Sequence, residues 1–222
     1  MHRPNRHVVT YAVSEADAGP TAVSATSLLE NSPSDDFHFA VLDLGLRPET
    51  KQSLSALLGH GRLEFLDPAA GAPLPPGELG VAVLLSEMLA EAHHRIIHLA
   101  CATLVVGDLS PLISIDLDGC PVAGAPRFAQ PGSGDIPSID PGVLVIDTRT
   151  LTEDQLDRRG VPPRWKRLGL EWHFPVLDVL RREWNGPLPV VYRFGDPHHL
   201  PDMRVMYDEY RRRCIAAGGP TF

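Results

Sequence analysis

Apolar positions recur along this chain at two periods. "HVVTYAV", residues 7–13, is a β-branched and aromatic run closing on polar residues, and it predicts a first strand. "TAVSATSLLENS", 21–32, sets Ala22, Ala25, Leu28 and Leu29 at helical spacing. "FHFAVLDLG", 37–45, predicts a second strand. "PETKQSLSALLGH", 48–60, opens on Pro48 and Glu49, shows Leu54, Leu57 and Leu58 on one face and stops at Gly59, the punctuation of a second helix. "RLEFLD", 62–67, is a short third strand, followed by a loop over 68–77 and a strongly apolar helix over 81–92.

A buried strand is then expected over Ile96–Leu99, a tight passage through Ala100-Cys101-Ala102, and a second apolar run from Thr103 to Val106. Residues 110–119 read as a helical turn and loop, 120–127 as a strand, 128–138 as a Gly/Pro-rich loop and 141–151 as a strand with a polar turn. An acidic first turn and a closing glycine predict a helix over 152–160. An amphipathic helix over 174–184, a closing strand over 187–195 and a final helix over 201–214 complete the pattern. The β-α-β-α-β alternation of the first half implies an α/β fold, a mostly parallel sheet with helices on both faces. In such folds ligands sit beyond the carboxyl ends of the strands. Here that place holds two alanines and a cysteine.

The 222 residues suffice for one large α/β domain, and no repeat or linker divides them, so a single domain over 1–222 is expected. A net charge of −8 argues against a partner held through nucleic-acid phosphates. The one basic cluster, "RRRC" at 211–214, follows Tyr207, Glu209 and Tyr210, and reads best as a solvated helix end. No apolar run reaches the ~18 residues of a membrane span, and "MHRPNRHVV" lacks a signal-peptide core. Cys101, Cys120 and Cys214 form neither a zinc pattern nor a disulfide framework, which makes a reducing cytoplasm the default expectation. Lys51 and Lys166 are the only lysines among many arginines, a usage typical of GC-rich bacterial genomes.

The run "RIIHLACATLVVGDLSPLISIDLDGCPVAG" resembles the central segment of the family 8 glycosyltransferases, relatives of glycogenin and the bacterial galactosyltransferases. "YAVSEADAGPTAVSATSLLENSP" is similar to that family's first strand and helix. "SIDPGVLVIDTRTL" is similar to its Asn-Ser-Gly strand, and "FPVLDVLRREWNGPLPVVYRFG" to its Gln-Asp helix and following strand. The resemblance spans residues 7–195, leaves 196–222 as a C-terminal loop and helix, and implies a GT-A fold: a mixed sheet built on a Rossmann-like nucleotide-binding half.

The same register sets chemistry apart from framework. The family holds a divalent cation, usually manganese, on an Asp-x-Asp motif, where it bridges the diphosphate of a nucleotide sugar. Ala100, Cys101 and Ala102 stand at that motif, so the resemblance implies that the Mn2+ or Mg2+ site is lost and no cofactor is expected. The family's uracil-contacting aspartate aligns with Ser14 and its base-stacking tyrosine with Asp17. Asn-Ser-Gly becomes Asp140-Pro141-Gly142, and Gln-Asp becomes Leu177-Asp178. The family's C-terminal element, with a metal-binding histidine and a phosphate-binding lysine, has only "YRFGDPHHLPD" as a remnant. "IDLDG" contains a literal Asp-x-Asp, Asp116 and Asp118, but falls in a turn away from the strand end and reads as surface loop acids.

Other candidates follow from residue type. His94 and His98 are four apart, yet on a strand rising about 3.3 Å per residue they stand about 13 Å apart, too far to chelate. His98 is either a satisfied half-buried histidine or a ligand partner near the cleft. Asp196, His198 and His199 form a candidate polar cluster in the C-terminal loop, against an ordinary exposed loop. Asp140 and Asp178 are the carboxylates able to act as general base if they converge. Cys101 reads better as a structural cysteine than as a nucleophile. The expected binding cleft is therefore Ser14, Asp17, His98, Ala100, Cys101, Ala102 and Gly142.

Two functions fit these residues. One is a degenerate or repurposed family 8 member binding a different small molecule or a partner protein. The other is an active, metal-independent glycosyltransferase that moves a sugar from a nucleotide sugar to a small-molecule hydroxyl. Fold alone does not choose between them.

Overall fold

The computed structural model describes residues 7–33, 36–59, 61–68, 74–75, 77–127, 138–153, 156–157, 161–175, 189–194 and 201–220. Strand β1, His7–Val13, leads through a single 3-10 turn, Glu15–Asp17, into helix α1, Ala18–Asn31. Strand β2 (Phe37–Asp43), helix α2 (Pro48–Leu58) and strand β3 (Leu63–Leu66) follow. Pro48 starts α2 where a missing N–H costs nothing, and Gly59 ends it at a φ of 89°, a conformation that favours glycine.

Helix α3 (Gly77–Leu89) precedes β4 (Arg95–Leu99), β5 (Thr103–Val105), the one-turn α4 (Ser110–Ile113), β6 (Val122–Pro126) and β7 (Ile139–Asp147). The chain closes with β8 (Lys166–Arg167), β9 (Phe174–Pro175), β10 (Val191–Arg193) and α5 (Pro201–Ala216).

The main sheet has seven strands in the order β3-β2-β1-β4-β7-β6-β8. Its β3-β2-β1-β4 half is parallel, β7 runs antiparallel to both β4 and β6, and β8 is parallel to β6. This is the mixed, mostly parallel sheet expected from the alternation of elements. Strand β1 is apolar on both faces because both are covered. Val9, Tyr11 and Val13 pack with Ala22, Val23, Ala25 and Leu28 of α1 and Leu54 and Leu58 of α2. Val8 instead joins Leu79, Ala82, Val83 and Leu85 of α3. No helix among the described residues is long and apolar enough to cross a membrane.

A second sheet of three short strands, β5-β10-β9, lies beside the first. Strand β10 is antiparallel to β5 and parallel to β9. The chain therefore leaves the main sheet at Leu99 and enters the small one at Thr103, and Ala100-Cys101-Ala102 is the joint between them.

Some expectations do not hold. Phe174 and Pro175, expected to open a helix over 174–184, form strand β9; residues 176–188 lie outside the described residues. Within the helix expected over 152–160, no described residue is α-helical; Leu156 N–H instead closes a turn on Glu153 O at 3.0 Å. Asp157 then exchanges hydrogen bonds with Val161, an arrangement its short carboxylate favours over helix.

Candidate functional site

The joint between the sheets is fixed by hydrogen bonds. Ala100 N–H donates to Gly142 O at 2.9 Å, and Phe194 N–H donates to Ala102 O at 2.8 Å. Thr103 Oγ1 donates to Ala100 O at 2.9 Å. That hydroxyl lies 2.8 Å from Ser24 Oγ, which lies 3.0 Å from the Tyr11 hydroxyl. Burial pushes the Tyr11 phenol well above its ordinary range, so it stays neutral. Further along α1, Ser27 Oγ accepts from Val105 N–H and Ser32 Oγ from Leu109 N–H, each at 3.0 Å. The small and hydroxylated residues of α1 let it pack closely while bonding the segment after the joint. Cys101 is half-buried, and its thiol donates to Ala12 O at 3.2 Å.

Strand register decides which side chains share a face. Thr10 pairs with His98, and His98 with Leu144. By the two-residue period of strands, His98, Gly142 and Asp140 share a face, with Ala100 next in line. His98 is buried, with Nδ1 3.1 Å from Thr10 Oγ1. Burial pushes its imidazole down to about 4, and the charge of Arg193 adds to the effect. It is a neutral, hydrogen-bonded histidine at neutral pH.

Asp140 is the centre of the polar cluster. Its Oδ1 accepts from Arg193 NH1 at 2.6 Å and from Gly142 N–H at 3.0 Å. His173 Nε2 stands 3.1 Å from the same oxygen, but out of line for a hydrogen bond, and neither ring nitrogen has a partner among the described residues. Burial alone would raise the Asp140 carboxyl. The adjacent imidazole, the Arg193 guanidinium and the Gly142 N–H outweigh burial and hold it far below the usual carboxylate range. A carboxylate so stabilised is a weak base.

Gly142 is covered by that cluster. A Cβ there would fall 2.1 Å from His173 Cε1 and 2.9 Å from Arg193 Cδ, so only glycine fits beneath the ring. His173 follows the 3-10 turn Leu170–Trp172, and Arg193 ends β10, so both come from around the small sheet. Neither was among the expected site residues. Arg193 is readable in retrospect as the one cation in the apolar run "PVVYRF".

The remaining candidates lie apart from this cluster or are engaged locally. Ser14 Oγ donates to Asp17 Oδ2 at 2.5 Å in the turn after β1, and both residues are half-buried. Between them Glu15 accepts from Arg47 N–H at 3.0 Å, from its guanidinium, and from Thr50 Oγ1 at 2.7 Å. The backbone N–H first, then the guanidinium and the hydroxyl, pull the Glu15 carboxyl down to about 2. Asp43, at the end of β2, accepts from Gly45 N–H at 2.9 Å and Leu46 N–H at 2.7 Å, and pairs with Lys51.

His94 is exposed, bonded to Arg149, and does not meet His98. Asp116 Oδ1 accepts from Asp118 N–H at 2.9 Å within an exposed turn, and Asp118 pairs with Lys166. Asp178, Asp196, His198 and His199 lie outside the described residues. Among the described residues no group of three or more His, Cys, Asp and Glu side chains is arranged to hold a metal ion.

No protein-family model matches this sequence. No curated protein matches it by sequence. Solved structures do resemble it. An active-site mutant of LgtC superposes with a TM-score of 0.75 at 16% identity, over 97% of this chain and 97% of the other. LgtC, a galactosyltransferase, is also known in complex with donor and acceptor sugar analogues, and in that form scores 0.72 over 94% of this chain and 95% of the other. The glycosyltransferase GlyE of Streptococcus pneumoniae gives 0.68 at 13% identity, over 97% of this chain and 65% of that one. Mouse xyloside xylosyltransferase 1 gives 0.63 at 12% identity, over 88% and 99%. The chain has a glycosyltransferase-like GT-A fold.

Proposed function

We propose that this chain is a repurposed member of the family 8 glycosyltransferases, one whose metal-dependent nucleotide-sugar site has been dismantled and whose cleft serves another small molecule or a partner protein. The observation that carries this reading is the joint between the sheets. Where the family pattern has two metal-binding acids, the chain has two methyl groups and a thiol donated to Ala12 O. A hard cation such as Mn2+ takes oxygen ligands, so these side chains do not fit it. The turn itself keeps its shape through Thr103, Ser24 and the Gly142 carbonyl. Architecture without donors supports a change of ligand rather than decay of the fold.

The competing reading is sugar transfer without a metal. Arg193 supports it, as a fixed positive charge at the same sheet end; Asp140, 2.6 Å away, opposes it by neutralising that charge. Thermal-shift titration with uridine diphosphate, with and without Mn2+, separates the two. A surviving site at a hundredfold excess of ligand over Kd would add about 2.7 kcal/mol, which for a domain this size raises Tm by about 5–10 °C. The repurposed reading expects no rise in either condition. A rise without metal supports metal-independent transfer, and a rise only with Mn2+ overturns both.

A further inference from the structure

His173 is buried, its side chain 1% exposed, and its two ring nitrogens make no hydrogen bond among the described residues: Nδ1 has no partner there, and Nε2 faces only the Asp140 carboxylate, 3.1 Å from Oδ1. An imidazole always carries at least one N–H, so burying Nδ1 without a partner and Nε2 against an out-of-line carboxylate leaves the ring poorly satisfied. The local backbone does not impose this. His173 has a φ of −154° and a ψ of 96°, extended values open to any residue.

What the ring does is fill the space above Gly142. A Cβ at 142 would meet ring atoms Cε1 at 2.1 Å and Nδ1 at 2.8 Å, so the ring rests directly on the glycine. The floor beneath it has other contacts besides the ring. Asp140 is also held by Arg193 at 2.6 Å and by Gly142 N–H at 3.0 Å, and Gly142 O is held by Ala100 N–H at 2.9 Å. His98, also buried though 5% exposed as a whole residue against 0% for His173, differs in having Thr10 as a hydrogen-bond partner.

We infer that the His173 ring is a displaceable plug, an internal occupant of the Gly142 surface that swings away before a ligand reaches this end of the sheet. On leaving, both nitrogens gain water as a partner, and this offsets part of the apolar contact and of the Asp140 ion pair that the ring gives up. The Gly142 floor and the Asp140–Arg193 pair stay in place. A ligand that binds only the open form then shifts the population toward it. The inference rests on the reading that the cleft takes a ligand, but its test uses none, so failure of the uridine diphosphate experiment and failure of the plug are seen separately.

The test is modification of the histidines by diethyl pyrocarbonate at neutral pH, read residue by residue by mass spectrometry. In wild-type protein His173 is expected to react at least tenfold faster than His98. Equal protection of the two overturns the inference. Gly142→Ala supplies a second reading, because its methyl group cannot coexist with the ring in place. A plug predicts that this variant folds and that His173 reacts within threefold of free N-acetylhistidine. A folded variant with His173 still protected overturns the inference. If Gly142→Ala does not fold, the wild-type comparison of His173 with His98 decides alone.

Discussion

Asp140→Asn removes one charge from the polar cluster with almost no change of shape. The side chains are largely buried: Asp140 is 11% exposed, His173 1% and Arg193 25%. Removing one partner of a buried ion pair costs about 3–5 kcal/mol. Two features reduce that here. Arg193 keeps a quarter of its surface in water, and an asparagine carbonyl still accepts from Gly142 N–H. The expected loss is therefore about 2–3 kcal/mol at neutral pH.

The loss also depends on pH. The folded-state pKa of Asp140 is depressed below the unfolded value of about 4, so its stabilisation is complete above that value. It fades as pH falls toward the folded value, because the unfolded chain then binds the proton first. Urea unfolding at about pH 7 and about pH 3 should show a wild-type advantage that shrinks in acid, with unchanged m-values. An advantage below about 0.5 kcal/mol at neutral pH, or one equal at both values, refutes the assignment of Asp140 as the charge that joins the two sheets.

Three further outcomes follow from the same geometry. Ser24→Ala takes the hydroxyl partner from the buried Tyr11 phenol and one of the two partners of Thr103 Oγ1, and should cost about 1–3 kcal/mol in urea unfolding. Glu15 should titrate near 2 by NMR, and Arg47→Ala should move it up toward the ordinary glutamate value. A Glu15 titration already at the ordinary value would contradict the arrangement that ties the turn after β1 to α2. Restoring acids with Ala100→Asp and Ala102→Asp together should still give no thermal shift with uridine diphosphate and Mn2+. The residues aligned with the family's base-binding positions are unchanged, with Ser14 and Asp17 bonded to each other. A shift of several degrees would mean that the two acids were all that was missing.

The first half of the fold was legible because its elements are long and punctuated. The apolar run of β1 matches the strand residue for residue, and Pro48 and Gly59 bracket α2. The small sheet was legible only in part: a closing strand was expected around β10 and an apolar run at β5, but β9 was expected as helix and the pairing of the three was not foreseen. Its strands are two or three residues long, too short to show a period, and Phe174, Leu177 and Leu180 mimic a helical face. The site divides in the same way. Gly142 and Asp140 were singled out from the sequence, and both lie in the cluster. The residues that complete it come from the small sheet's surroundings, and Arg193 reaches Asp140 across 53 positions. No local pattern encodes a contact of that separation. Ser14 and Asp17, named from the sequence as cleft residues, are bonded to each other in the turn after β1, with the neighbouring Glu15 tied to α2.

The central claim is that the nucleotide-sugar site has been dismantled while its architecture stands. Isothermal titration of uridine diphosphate premixed with Mn2+ into the wild-type protein tests it most directly. The account predicts only heats of dilution. A saturable isotherm with one site per chain that disappears when Mn2+ is omitted would contradict it.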